Sequence, residues 1–428
     1  MPDGINVTRR PGTFLTLLPL LVTASIHAAE FQGYSRDEAS GYRNAWTIDN
    51  WDDGGPLTRY VFLNMPEFWR HSLVDRSGPV RTLAEAYRSD IAELVINTSA
   101  GKMTLAEYVR DPRVDGVLIL HRGRIVYEAY PRMQPHDKHL YMSVSKPLAA
   151  TLIAILEDRE LIDAEKPVDS YLPELGESGW AGVPVRDVLD MASGIDCRQN
   201  LPGAYENPQL CYYQFEASMG WLRRTDATAE NPYEYIASLK SRRPPGEAYE
   251  YSSTNTFVLA WIAERVTGRP YNELLATEIW RRIGAESDAV IVADNRGIAL
   301  ASNGISSTLR DLARFGLMFM PSGRSVVEPL VSDSYLDKIQ NGGRPKLFLE
   351  GQGKASLIDS ELPRHNSYQW DFVMQDGDFF KGGYGGQGLY LSPARDLVIA
   401  FFGTLDDNGN SNEMGQIARQ LAKSRLFD

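Results

Sequence analysis

Two alternating apolar runs, 114–120 and 124–130, flank His121-Arg122-Gly123 and predict a β-hairpin. The period then changes. Leu148-Ala149-Ala150-Thr151-Leu152-Ile153-Ala154-Ile155-Leu156 predicts an apolar helix that begins near Ser143 and runs to about Asp158. Residues 162–174 read as extended and rich in breakers, and 185–191 as a short helix stopped by Ser193-Gly194. After the break at Pro244-Pro245-Gly246, apolar spacing predicts a helix ending at Gly268 and another over 271–283. Thr308-Leu309-Arg310-Asp311 reads as a capping box for a helix to about Met320. Strands are expected at 388–391 and 397–402, and a last helix at 412–424.

Strands at both ends with helices between them predict an α/β chain of the α+β type. One antiparallel sheet is built from both ends, flanked by helices, with a helical lobe inserted. Three regions follow. Residues 1–29 form a signal peptide, 30–110 a loop-rich leader with helices near 81–95 and 103–110, and 111–428 the main domain. Residues 196–233 show little periodicity and read as a long insertion near a binding site.

Ser143-Val144-Ser145-Lys146 opens the apolar helix. Residues three apart share a helix face, so the hydroxyl and the amine point the same way. A serine in the first turn can attack a carbonyl while its own N–H holds the oxyanion. A lysine screened by Leu and Ala can lose its proton and act as base. A second Ser-x-x-Lys, Ser99 to Lys102, contains Gly101 and reads as a loop. The spacing alone also fits a helix start with a surface lysine.

Two later pieces fit the same chemistry: Tyr251-Ser252-Ser253 on a loop entering a helix, and Lys381-Gly382-Gly383 before a strand. Tyr251 can carry a proton between nucleophile and leaving group. Lys381 would disfavour protonation of Lys146 and favour tyrosinate character in Tyr251. The backbone N–H of Tyr384 is the expected second oxyanion donor.

These segments resemble the serine β-lactamase and penicillin-binding superfamily, in its class C β-lactamase and carboxylesterase branch. The likeness rests on 140–146, on 251–268 and on 307–314, and covers about residues 110–425. It implies a β-lactamase/transpeptidase-like fold, with Ser143 as acylated nucleophile, Lys146 as base and Tyr251 as acid/base. Ser253 stands where the second motif has Asn, and Gly382 where the third has Thr or Ser. Both changes favour an ester or linear amide over a β-lactam. A β-lactamase or D-alanyl-D-alanine carboxypeptidase is the alternative, and a silent binding protein on this fold the reading from another class. Ser253, Lys381 and Asn303 are candidate substrate-binding residues, Asn303 being equally a turn residue.

The chain has 428 residues, 43% hydrophobic and 23% charged, enough for a sizeable core. A net charge of −12 argues against nucleic acid and anionic membranes as partners. A small-molecule ester or amide is the expected partner, with no metal or cofactor. Arg9-Arg10 and the apolar stretch 14–22, too short for a stable membrane span, predict export to the periplasm or beyond. A cytoplasmic protein with an unusual N-terminal tail is the alternative. Cys197 and Cys211 either pair across a short loop or remain buried thiols. Gly383-x-Gly385-x-x-Gly388 resembles a dinucleotide fingerprint but opens toward a strand. His136 and His139 lack further ligands and read as a polar loop. Trp180, Trp221 and Tyr384 read as core or lid packing, or as an apolar substrate wall.

Overall fold

The computed structural model describes residues 31–325 and 329–428, so the expected signal over 1–29 lies outside the described residues. The main sheet has eight strands: β1 (Ala84–Glu85), β2 (Val114–His121), β3 (Arg124–Ala129), β4 (His365–Ser367), β5 (Trp370–Val373), β6 (Phe379–Gly383), β7 (Gln387–Ser392) and β8 (Leu397–Gly403). Their order is β4-β5-β6-β7-β8-β2-β3-β1. Every pairing is antiparallel except that of β1 with β3. C-terminal β8 lies beside N-terminal β2, with Ile399 opposite Ile119, so the two ends of the sequence meet inside one sheet.

The central strands are apolar at nearly every position because both faces are covered. Leu118, Leu120, Val398, Ala400 and Phe402 point into one core, while Val117, Ile119, Leu397, Ile399 and Phe401 point into the other. Four helices frame these cores: α1 (Lys146–Asp158), α2 (Ser253–Thr267), α3 (Leu309–Leu317) and α4 (Met414–Lys423). Helix α3 packs on β2, β7 and β8, and α1 packs against α2 in the inserted lobe. Helix α4 closes the second core with Met414, Ile417 and Leu421. Half of the expected α3 capping box forms: the Thr308 hydroxyl accepts from the Asp311 N–H, and the Asp311 carboxylate accepts from that hydroxyl rather than from the Thr308 N–H. Among the described residues no helix is long and apolar enough to cross a membrane.

A smaller sheet carries the site. Its order is His71–Val74, Ala289–Val292, Ile305–Ser307, His139–Leu140. It holds the chain just before Ser143 against the chain just after Asn303.

Several expectations change. The helix expected over 81–95 is replaced by β1, a four-residue helix Ser89–Ala92 and a strand Val95–Thr98. That strand pairs with Gly101–Thr104, so Ser99 and Lys102 sit at a hairpin turn. The β-branched Val95 and Ile96 favour a strand, and Gly101 lets the chain reverse. The leader is less loop-rich than expected. It has helices Arg36–Ala45 and Gly55–Leu63, and it buries Trp51, Tyr60 and Phe62. The insertion over 196–233 contains a helix, Cys211–Ser218, buried on nearly all sides, which hides any amphipathic pattern. Cys197 and Cys211 are joined as a disulfide.

Candidate active site

Residues Met142–Ser145 form a tight 3₁₀ turn that runs directly into α1. Met142 has φ +49°, a strained conformation for a residue with a side chain. The small sheet holds it there: the Tyr141 N–H donates to the Ile305 carbonyl at 2.7 Å, and the Tyr141 hydroxyl pairs with Ser307. From 139 to 156 only Ser143 is not buried. The turn therefore presents one side chain to the outside and hides the rest.

Lys146 is fully buried. Its Nζ lies 3.1 Å from Ser143 Oγ, 3.0 Å from Ser253 Oγ and 3.1 Å from the Ser302 carbonyl oxygen. Burial first, then the neighbouring Lys381 charge, holds this amine well below its ordinary range, while Glu216 and Asp371 oppose the shift.

Tyr251 stands on the loop entering α2, with Ser252 at the N-cap. Its hydroxyl accepts from Lys381 Nζ at 3.0 Å, and both lysine amines lie over its ring, at 5.1 and 4.7 Å. It also neighbours the Ser143 hydroxyl. The tyrosinate expectation is corrected. Burial first, then the Asp371 charge, pushes the Tyr251 phenol well above its ordinary range. Asp371 on β5 pairs with Lys381 at 2.6 Å, and its other oxygen accepts from the Gly382 N–H at 3.0 Å. Lys381 is therefore committed to Asp371 and Tyr251, not open to substrate.

Ser253 is likewise not open to substrate. It is 1% exposed. Gln199 Oε1 accepts from both its N–H and its hydroxyl, each at 3.0 Å. The backbone donor fixes which end of the Gln199 amide faces Ser253. Tyr212 Oη lies 2.9 Å from Ser253 Oγ and also pairs with Glu216. Glu216 is fully buried, which pushes its carboxyl up to about 7 against the opposing effects of Tyr212, Lys146 and Asn303. Asn303 is buried too, its Oδ1 accepting from Ser302 Oγ at 2.8 Å. Both Ser253 and Asn303 thus support the lysine side of the site.

The opposite wall is the end of β6. A Cβ on Gly383 would lie 2.6 Å from the Tyr141 carbonyl oxygen, so only glycine lets the strand come this close to the Ser143 turn. Tyr384 follows, 48% exposed, with its hydroxyl donating to the Asp52 carbonyl at 3.0 Å. Asp53 and Glu206 also lie near it, and burial pushes the Asp52 carboxyl up to about 6. The rim is acidic.

The remaining candidates lie elsewhere. Gly383 to Gly388 spans the turn between β6 and β7, with Gly385 and Gly386 at positive φ. Trp180 and Trp221 are core residues: Trp180 Nε1 donates to the Ile236 carbonyl, and Trp221 packs on Trp51 and Trp69. Ser99 Oγ donates to Glu413 on the exposed hairpin. His136 is exposed, but His139 is fully buried rather than on a polar loop, with Nε2 3.2 Å from Asp115.

Sequence reasoning missed Gln199, Tyr212, Glu216 and Asp371. None belongs to a motif. Gln199, Tyr212 and Glu216 lie in the 196–233 insertion expected near a binding site, and Asp371 lies ten residues before Lys381 on the neighbouring strand, which are the signals that could have pointed to them.

The β-lactamase family model matches residues 103–423. The 6-aminohexanoate-dimer hydrolase of Paenarthrobacter ureafaciens is 31% identical over 404 residues, covering 94% of this chain and 97% of that protein. A solved Bacillus anthracis structure, provisionally named a 6-aminohexanoate-dimer hydrolase, superposes with a TM-score of 0.74 at 25% identity. It covers 89% of this chain and 96% of its own. The β-lactamase/D-alanine carboxypeptidase of Yersinia pestis has the same fold, with a TM-score of 0.56 at 19% identity over 74% of this chain and 96% of its own. On its matched span and its likeness along almost the whole chain, the protein belongs to the β-lactamase family of serine hydrolases.

Proposed function

We propose that the protein hydrolyses esters and linear amides, including linear aminoacyl amides of the 6-aminohexanoate kind, through an acyl-enzyme on Ser143. The observation that carries this is Lys146 Nζ, fully buried, held well below its ordinary range and 3.1 Å from Ser143 Oγ. The Ser302 carbonyl can only accept. The Ser253 hydroxyl spends its proton on Gln199 Oε1, so it too accepts from Lys146. A neutral amine has two N–H groups for these partners and a lone pair left for the Ser143 hydroxyl.

The steps follow. As Ser143 Oγ bonds to the substrate carbonyl carbon, its proton passes to Lys146 Nζ. The backbone N–H groups of Ser143 and Tyr384 take the oxyanion. Tyr251, kept protonated, gives its phenolic proton to the departing nitrogen or oxygen and is reprotonated from Lys146. The Lys381 ammonium steadies the phenolic oxygen meanwhile. Water then attacks the acyl carbon, Lys146 takes its proton, and Ser143 leaves with that proton.

The acidic rim at Asp52, Asp53 and Glu206 and the net charge of −12 suit a neutral or cationic substrate end. The disulfide in the insertion and the N-terminal pattern support a periplasmic or secreted location.

The test is labelling with a fluorophosphonate, read by intact mass. The wild type and Ser99→Ala gain one adduct, and Ser143→Ala gains none. An adduct on Ser143→Ala would remove the nucleophile assignment.

A further inference from the structure

Asp371 places a carboxylate against the site's second lysine. Its two oxygens take Lys381 Nζ at 2.6 Å and the Gly382 N–H at 3.0 Å. A lysine ammonium beside a free backbone N–H is a site for a carboxylate. It stands one side chain from the nucleophile, since Lys381 also donates to Tyr251 and Tyr251 neighbours Ser143. The chain thus fills its own anion site. Gly382 adds no side chain there, and Phe380 and Asp371 are the nearest groups to where a Cβ would be.

We infer that Asp371 is a specificity-determining residue, an internal carboxylate that occupies the Lys381–Gly382 anion site and excludes acyl donors carrying a carboxylate. The inference rests on the acyl-enzyme reading above.

An anionic substrate meets three unfavourable features. The positive charge of Lys381 is matched by Asp371. The Lys146 amine is fully buried and held well below its ordinary range, which disfavours a second positive charge beside the site. The rim residues near Tyr384 are acidic. Displacing Asp371 from Lys381 and Gly382 would strand a half-buried carboxylate beside Tyr251, so a substrate carboxylate does not compete well with it. Neutral esters and amides have no need of that site and are unaffected.

Two esters of equal chain length test this: para-nitrophenyl butyrate and mono-para-nitrophenyl succinate. In the wild type, kcat/KM favours the neutral ester by about tenfold or more, the scale of one charged hydrogen bond. Asp371→Asn and Asp371→Ala lower turnover of the neutral ester, because Lys381 and Tyr251 lose support, yet shrink the neutral-to-anionic ratio by about tenfold. Succinate itself becomes a competitive inhibitor of the variants only. Fluorophosphonate labelling separates the two readings. A variant that labels at Ser143 with an unchanged ratio overturns the role of Asp371, whereas loss of labelling at wild-type Ser143 overturns the acyl-enzyme. If neither variant folds, the wild type decides, since equal turnover of the two esters overturns the inference.

Discussion

Gln199 Oε1 accepts the Ser253 N–H and the Ser253 hydroxyl, each at 3.0 Å, from a loop closed by the Cys197–Cys211 disulfide. Ser253 in turn accepts from Lys146. In the proposed reaction, an insertion outside the matching motifs thus sets the direction of the hydrogen bond that leaves the lysine lone pair for Ser143. Gln199→Ala leaves a buried N–H without a partner, at a cost of about 1–3 kcal/mol. It should lower kcat by about tenfold and leave KM nearly unchanged. Reducing the disulfide removes a loop closure worth about 3 kcal/mol on the chain-entropy model and should lower the melting temperature. Steady-state kinetics and melts with and without reductant check both. An unaltered kcat in Gln199→Ala would detach the loop from the site.

Lys146 makes stability depend on pH. Its amine is held well below 10.5 in the folded protein, chiefly by burial. Between that depressed value and the ordinary one, the unfolded chain binds a proton that the folded chain does not. Stability therefore rises with pH across this window and is lost as pH falls through it, with a slope of up to about 1.4 kcal/mol per unit. Lys146→Met has no such group. Urea unfolding of both proteins at pH 6 and pH 9 should show the wild type gaining on the variant at the higher pH. The reverse trend would mean that Lys146 is charged in the fold, which ends its role as base.

In the proposed reaction Tyr251 enters as a neutral phenol, because burial and the Asp371 charge favour its protonated form. Its weight should fall on the leaving group. Tyr251→Phe is expected to slow a linear amide by about a hundredfold or more, the scale of a general acid. A para-nitrophenyl ester, whose leaving group needs no proton, should be slowed much less. Parallel kcat/KM series on an amide and an ester sharing one acyl group check this. Equal losses on both would assign Tyr251 to activation of Ser143 rather than to the leaving group.

The sheet and its helices were legible because their patterns are local. The 114–130 hairpin, the Thr308 cap and the stop at Gly268 each rest on a few adjacent residues. Ser143, Lys146, Tyr251 and Lys381 were legible as motifs and converge as expected. Their partners were not. Asp371 is joined to Lys381 by strand pairing, Gln199 to Ser253 by a disulfide-closed loop, and Glu216 to Tyr212 by one turn of a buried helix. The tyrosinate expectation failed first because Tyr251 is buried, and then because a lysine visible in sequence carried a counter-charge that was not. The helix expected over 81–95 failed because 84–85 pair with 124–125 and Val95 opens a strand against 101–104, so pairing outweighed local helix propensity.

Linear esters and amides should be turned over far better than β-lactams. Turnover of a β-lactam needs donors for its amide and a cation for its carboxylate. Ser253 offers neither, since its hydroxyl is buried among Lys146, Gln199 and Tyr212. Lys381 and the Gly382 N–H are taken by Asp371. Two missing hydrogen bonds, each worth about 1–3 kcal/mol, lower relative kcat/KM by about thirtyfold to twenty-thousandfold. A para-nitrophenyl ester needs only the oxyanion donors and a good leaving group. Restoring the β-lactamase-type residues one at a time should not reverse the preference. Ser253→Asn forces a longer side chain into a filled space beside Lys146 and should depress every substrate. A side chain at Gly382 would begin 3.3 Å from the Phe380 ring, with Asp371 still in the anion site. The double change Gly382→Thr with Asp371→Ser frees that site and should raise nitrocefin turnover relative to ester turnover. Wild-type nitrocefin kcat/KM equal to that for para-nitrophenyl butyrate would place β-lactams among the enzyme's own substrates.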